Sequence, residues 1–500
     1  MSIFNKIKKT AITQPRKTAL IIGGKKLTYK ELVLEVESVS RYFAKLKIKP
    51  NDRVGLVENN TLEFILIFLA TSNIGSQIVP LNTNYTHKMI YENFLDLKIK
   101  HLFIWHNYLS YPNFKKMGLK NIVTLGKKIK SFHFFNEHTS QKNKIYNINK
   151  TSNFLNNDFV ITLTSGSTSK PKPIVLTQKT KIDRSLAAKK IYNINNNDII
   201  LTASPLDHSL GQRLLLLPLL SGGTSVVLST FTIFNFYESV KNNRITFTIL
   251  VSSQISELKK SKLEFKRLYL KKGLVSASSK LNNNLKKNLI KKNIKIFEMY
   301  GASEIGTVTN ILFNKKNNKY KSVGKACSGA KIKILSEKNE FLTHNNIGEI
   351  VCSTPLKFKK YFGLKKDTKN SFFKQYFKTG DIGYLDKDNY LYYVGRKKNI
   401  MKISGINVFP EDIEKILILN KKILDVAVLG IINHSGKEQI VACIIIKNQG
   451  IKKETLFDYC YKNLATFQYP SQILILKSFP KTVLGKVNKI VLKKIVEKKL

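Results

Sequence analysis

The chain is poor in cysteine, tryptophan, proline and arginine. It has four cysteines, one tryptophan, twelve prolines and only eight arginines among 85 basic residues. Cys327, Cys352, Cys443 and Cys460 lie far apart, form no Cys-x-x-Cys pair and match no zinc pattern with the eight histidines. A disulfide-stapled scaffold and a zinc module are thereby excluded, and a cytoplasmic, reducing location is expected. Long apolar runs are missing as well: residues 214–220 form a short one, broken by Pro218, far below a membrane span. Residues 1–15 carry lysines without the apolar run of a secretory signal, so none is expected. Acidic residues number 33 against 85 basic ones, a net charge of +52. That charge would suit a nucleic-acid or anionic-membrane binder. Yet it is spread along the whole chain as 77 lysines, with runs such as Asn195-Asn196-Asn197 and Asn282-Asn283-Asn284 beside them. A reader of phosphate backbones more often clusters arginine. The enrichment is read as drift toward A- and T-rich codons, and specific nucleic-acid binding is not expected.

What the chain does have is ample core material: 43% of its 500 residues are hydrophobic, enough for more than one domain. Residues 18–27 read as a hairpin turning at Gly23-Gly24. Thr28 and Glu31 form a capping box, and Leu32, Val36, Val39 and Phe43 space the apolar face of the helix it opens. Strands are expected at 54–57, 76–80, 99–105 and 121–125, with a helix capped by Thr61. This alternation predicts α/β architecture around parallel sheets. Residues 127–157 are polar and read as a long surface connection. Further units follow: helix 179–191, strand 199–203, a helix through Leu220, strand 225–228, helix 236–242, strands 247–251 and 268–270, helix 281–291 and strand 295–297. From Lys321 short strands and turns dominate, a barrel-like antiparallel region. Residues 395–404 read as a charged linker before a small α+β domain.

The chemistry concentrates in a few stretches. Residues 164–173 (Thr-Ser-Gly-Ser-Thr-Ser-Lys-Pro-Lys-Pro) lie between two β-branched runs, a tight loop rich in hydroxyl donors and cations that suits phosphate. It is no Walker A loop, because Gly-Lys-Ser/Thr does not follow at the required spacing. Tyr300-Gly301-Ala302-Ser303-Glu304 sets a glycine and a carboxylate by a strand, a place for a nucleotide and Mg²⁺. Thr379-Gly380-Asp381 puts a carboxylate beside a glycine turn, able to accept ribose hydroxyls. Arg396 is a rare arginine at the expected domain boundary. His208 follows a strand, and Lys486 sits in a flexible Leu484-Gly485-Lys486 turn. Each of these alone is as well explained by a turn, a helix-end acid or a surface cation.

Taken in order, these stretches resemble the adenylate-forming superfamily, which includes acyl-CoA synthetases. The matching pieces are 164–177, 205–208, 300–304, 348–350, 379–381, 395–410 and 480–486, spread over nearly the whole chain. The resemblance implies a large α/β N-terminal domain over 1–395, built of subdomains with a small barrel-like region. A small mobile α+β domain would follow over 399–500, hinged near Lys398. It implies activation of a carboxylic acid by ATP to an acyl-adenylate with release of pyrophosphate, then thioester formation with CoA. Under it, Thr164, Ser165, Gly166, Ser167, Thr168 and Lys172 would hold the phosphates, and Glu304 the Mg²⁺ ion. Ser276 and Ala277 would border adenine, Tyr300 would stack on it, and Gly301 and Ser303 would line the nucleotide. Asp381 would take the ribose hydroxyls, Arg396 ribose or phosphate, and Lys486 would bridge the acid and the α-phosphate. His208, counted with Lys486 and Glu304 among the catalytic candidates, falls where relatives gate the acyl pocket. Pocket walls are expected from 208–213, 251–254, 276–278 and 301–302. Ser404 and Gly405 would let pantetheine pass after domain rotation.

The chain departs from the family pattern at Ser169 and Pro173, where glycines are usual. A stiffer phosphate loop is expected there, because proline fixes φ and removes an N–H. Loading of a carrier-protein phosphopantetheine is the alternative to CoA, since a basic surface suits an acidic carrier. A basic nucleic-acid-binding protein and a non-catalytic scaffold are the more distant readings.

Overall fold

The computed structural model describes residues 1–81, 83–109, 114, 117–141, 154–163, 171–260, 269–279, 281–314, 319–403, 406–433, 437–447, 452–482 and 486–500. Two large sheets share the N-terminal part of the chain. One has nine strands, ordered Lys325–Ala326, Gly306–Phe313, Ile296–Ala302, Gly273–Ala277, Phe247–Val251, Ile199–Thr202, Thr224–Val227, Thr18–Ile22 and Lys25–Thr28. The other has eight, with Arg53–Val57 and Gln77–Leu81 at its centre. Most central neighbours run parallel, so their crossovers are helices that cover the sheets.

The largest core joins these sheets through their helices. Helix Leu62–Ile74 is apolar on nearly every face and buried on nearly every face, as a helix between two layers must be. Thr61 caps its start by accepting the Phe64 N–H, as the sequence predicts. The Thr28–Glu31 capping box is also present in full. Ile3, Phe4 and Ile7 of helix Ile3–Thr13 join the same core; no sequence signal had marked that helix.

A third, antiparallel sheet is built mainly of Lys331–Leu335, Gly348–Ser353, Tyr376–Leu385 and Leu391–Arg396. It packs through Ile334, Ile350 and Phe377 on Ile174, Leu176, Ile305 and Val308 of the larger sheets. The last hundred residues form a small separate core around the hairpin Ile423–Ile432 and Glu438–Ile446, flanked by helices Pro410–Leu417 and Lys453–Asn463. The expected fold class therefore holds.

Several local expectations do not. The strand expected at 268–270 is Gly273–Ala277 instead; residues 269 and 270 are irregular, and Leu268 lies outside the described residues. The 127–157 segment is not wholly superficial: Phe135 and His138 are 1% and 5% exposed in a short 3-10 stretch. His138 reaches Glu35 at 3.3 Å, so the segment is tied down on helix Tyr29–Lys45. Nor is 395–404 an open linker. Gly395 and Arg396 end a strand, and Met401–Ile403 pairs with Ile406–Val408.

Candidate active site

Sheet register places the first functional pair. Asp381 and Arg396 stand directly opposite on the antiparallel strands Tyr376–Leu385 and Leu391–Arg396. Their side chains form an ion pair at 2.8 Å, and Arg396 also donates to the Thr379 carbonyl at 3.1 Å. Thr379 and Asp381 thus lie inside a long strand rather than beside a free turn; Gly380, at φ +69°, makes the local kink. Glu349 of the neighbouring strand fixes that kink by accepting the Gly380 N–H at 3.2 Å, while its other oxygen takes Lys397 at 2.8 Å.

Tyr300 arrives from the nine-stranded sheet. Its hydroxyl donates to the second Asp381 oxygen at 2.7 Å, linking the two sheets across the site. Burial raises the Asp381 carboxyl above its ordinary range, against the pull of Arg396, Tyr300 and Lys486. After Tyr300 the pairing with strand Gly306–Phe313 slips, and Gly301 lies so close that a β-carbon there would stand 1.9 Å from the Gly306 carbonyl oxygen. Only glycine permits that approach, and residues 303–305 turn directly after the strand end.

Lys486 comes from the C-terminal part. A Lys481–Val487 bridge closes its loop, and the Thr482 N–H donates to the Lys486 carbonyl at 2.7 Å. Lys486 is exposed by surface area, yet the protein crowded around it desolvates the ammonium and, with the like charge of Arg396, pushes it down to about 8, with Asp381 opposing. Lys486, Arg396, Asp381 and Tyr300 thus form one electrostatic group, drawn from three separate stretches of chain.

A second group lies around Glu304. Its carboxylate accepts from the Tyr361 hydroxyl at 2.9 Å, and the Tyr361 ring lies 5.2 Å beneath the Lys172 ammonium, which pairs with Asp367 at 2.6 Å. Buried Arg184 holds the turn in place through the carbonyls of Ser303 (2.9 Å), Glu304 (3.0 Å) and Leu356 (2.9 Å). Among the described residues no group of three metal-ligating side chains occurs. One carboxylate suffices for Mg²⁺ when phosphate oxygens and water complete its shell, so Glu304 fits that ion.

The strands flanking the phosphate-type loop, Asp158–Leu163 and Pro173–Thr177, pair as expected. The loop itself, with Thr164, Ser165, Gly166, Ser167, Thr168 and Ser169, lies outside the described residues, as do Ser404 and Gly405. Pro173 opens its strand, where a missing N–H is tolerated. Ser276 and Ala277 end the buried strand next to Ile296–Ala302; the Ser276 hydroxyl has no hydrogen-bond partner. Lys398 sits in the short 3-10 turn 397–399 after Arg396, its ammonium pushed down by burial and by Arg396.

His208 caps helix Ser209–Ser221 without a side-chain bond to it. Its Nε2 is buried, lacks a hydrogen bond and stands 3.6 Å from Asp207, beyond hydrogen-bond range. Asn60 clamps this turn, donating to the carbonyls of Ser204 and Leu228 and accepting the Leu206 N–H at 2.7 Å. Tyr361, Arg184 and Asn60 had no sequence signal: each works through tertiary contacts far along the chain, 57 residues away for Tyr361 and Glu304 and more than a hundred for the other two.

Comparisons with known proteins place the chain in a family. A family model described as AMP-binding enzyme matches residues 7–362, and one described as AMP-binding enzyme C-terminal domain matches 412–486. The chain is 27% identical to an oxalate–CoA ligase of Arabidopsis thaliana, over 95% of each chain. It is 24% identical to a 2-succinylbenzoate–CoA ligase of Bacillus pumilus, over 96% of this chain and 95% of the relative. Its fold matches ATP-bound MatB from Rhodopseudomonas palustris with a TM-score of 0.90 at 22% identity, covering 99% of both chains. It also matches o-succinylbenzoate CoA synthetase from Bacillus subtilis in complex with its acyl-adenylate, at 0.86 and 20% identity, covering 98% of both.

Proposed function

The chain belongs to the AMP-binding enzyme family, and we propose that it joins a carboxylic acid to ATP, releases pyrophosphate, and passes the acyl group to the thiol of CoA. The observation that carries this reading is Lys486, a cation held within electrostatic reach of the Tyr300–Asp381–Arg396 set. In the first step an oxygen of the acid attacks the α-phosphorus, and the bond from that phosphorus to the β-bridging oxygen breaks. Two anions must approach each other. Lys486 screens them and stabilises charge on the oxygens in flight, as a fixed cation more than as a base.

The remaining residues hold the nucleotide. Asp381 retains lone pairs beyond those used by Tyr300 and Arg396, and these accept the ribose hydroxyls. Tyr300 stacks on adenine beside Ser276 and Ala277, with Gly301 and Ser303 along the nucleotide; Arg396 reaches ribose or phosphate. Residues 164–168 and Lys172 hold the phosphates. Glu304, oriented by Tyr361, would hold the Mg²⁺ ion, which supplies charge neutralisation on the phosphate oxygens when bound. His208 gates the acyl pocket.

In the second step the CoA sulfur, having lost its proton, attacks the acyl carbon and AMP leaves. The C-terminal part, 399–500, rotates about Lys398 between the two steps, taking Lys486 out and bringing Ser404 and Gly405 toward pantetheine. CoA is preferred to a carrier protein because the relatives above are CoA ligases. Product analysis tests the reading: with ATP, Mg²⁺, CoA and a panel of acids, AMP, pyrophosphate and thioester should appear in equal amounts. ADP and inorganic phosphate in their place would overturn it.

A further inference from the structure

Behind Tyr300 and Gly301 lies a set of polar side chains that the steps above do not use. Helices Gln178–Ile191 and Ser209–Ser221 pack on each other, and their contact holds Lys181, Arg184, Gln212 and Arg213. Their residual exposures are 2%, 3%, 0% and 8%. Among the described residues no carboxylate forms an ion pair with any of the three cations. Burying unpaired charge is strongly unfavourable, so such a set needs a reason.

Arg184 has one, since its guanidinium is spent on the three carbonyls that hold the Glu304 turn. Lys181 donates to the Gln212 carbonyl oxygen, which leaves the Gln212 amide nitrogen with no acceptor. Arg213 donates through one terminal nitrogen to the Thr307 hydroxyl at 2.6 Å, while its Nε is buried without an acceptor. Two adjacent residues thus present N–H groups without a protein acceptor in a buried, positive place. Burial pushes both Lys181 and Arg213 below their ordinary ranges, and for Lys181 the like charges of Arg184 and Arg213 add to it.

The position of this set is informative. Thr307 is the cross-strand partner of Gly301, and Arg213 also approaches the sulfur of Met299, the neighbour of Tyr300. His208, whose Nε2 lacks a partner, caps the same helix one turn earlier. The unmet donors therefore lie under the strand end that borders the reacting centre, on the side where the acyl pocket is expected.

We propose that Arg213 and Gln212, backed by Lys181, form an anion receptor in the floor of the acyl pocket, and that the substrate is a dicarboxylic acid. One carboxylate is activated beside Lys486; the other is bound by the Arg213 guanidinium and the Gln212 amide. A guanidinium offers a planar fork of donors that matches a carboxylate, and the bound anion supplies the charge that the buried cations lack. This inference rests on the adenylation reading given above.

The test is ATP–pyrophosphate exchange with matched acid pairs: succinate against butyrate, glutarate against valerate, isophthalate against benzoate. Sites built to pair a polar group reject analogues lacking it by large factors, so at least one diacid should exceed its monoacid by about a hundredfold or more in kcat/KM. Arg213→Met should collapse that ratio mainly through KM for the diacid, and Arg213→Lys should restore part of it. A merely structural arginine would lower both members of a pair alike. Monoacids used as well as their diacids by the unaltered enzyme would overturn the receptor and leave adenylation standing, whether or not the variants fold. Exchange with no acid of either series would count against adenylation itself.

Discussion

Replacing Lys486 with arginine should move the alkaline limit of acyl-adenylate formation. In the free enzyme the Lys486 ammonium is pushed from its ordinary 10.5 down to about 8, by desolvation first and by Arg396 second. The cation is the working form, because it must meet the acid and the α-phosphate. Raising the pH through about 8 removes its proton, so the rate falls on the alkaline side. For a single proton, kcat/KM at about pH 9 should be about tenfold below its plateau, and about tenfold lower again one unit higher. Arginine stays protonated across this range. Lys486→Arg, even if slower at every pH, should therefore give a profile flat to about pH 10. The assay is pyrophosphate exchange at low acid concentration, since kcat/KM reports the free enzyme's groups. An unaltered enzyme with no alkaline fall, or a fall near pH 8 that persists in Lys486→Arg, would refute the reasoning.

Two further outcomes follow from buried contacts. Tyr361→Phe removes the hydroxyl that donates to Glu304 but keeps the ring below Lys172. A hydrogen bond to a charged group contributes about 1.5–3 kcal/mol, so the KM for magnesium–ATP should rise about tenfold or more; an unchanged magnesium titration would detach Glu304 from the ion. Lys286 and Glu298 form a fully buried ion pair beneath strand Ile296–Ala302. Lys286→Met removes the buried cation opposite Glu298 and should cost about 3–5 kcal/mol, read as a lowered melting temperature. Adding Glu298→Met should recover part of that loss, and no recovery would mean that the damage is not electrostatic.

Much of this was legible in the sequence, for reasons that differ from place to place. The Thr28–Glu31 box and the Thr61 cap are local hydrogen-bond chemistry, which residue type and spacing specify directly. Tyr300, Glu304, Asp381, Arg396 and Lys486 stood out as candidates because each sits in a short stretch whose order along the chain resembles one family, and the structure brings Tyr300, Asp381, Arg396 and Lys486 together. Strand Gly273–Ala277 was harder: Gly, Ser and Ala carry little β-branched signal, and its strand character comes from burial between two neighbours. Helix Ile3–Thr13 was hidden because its buried core residues are few, Ile3, Phe4 and Ile7, amid several lysines. Arg184 and Tyr361 could not be foreseen, since their partners lie 120 and 57 residues away and only the packed sheets bring them together.

The central claim is that Lys486 serves acid activation and is spared by thioester formation. The direct measurement separates the two half-reactions in Lys486→Ala: pyrophosphate exchange for the first, and CoA thioester formation from supplied acyl-adenylate for the second. Removal of one such stabilising group typically costs about 10²–10³-fold, so exchange should fall by that factor while the second half-reaction continues near the rate of the unaltered enzyme. Exchange that continues undiminished, or an equal loss in both halves, would contradict the assignment.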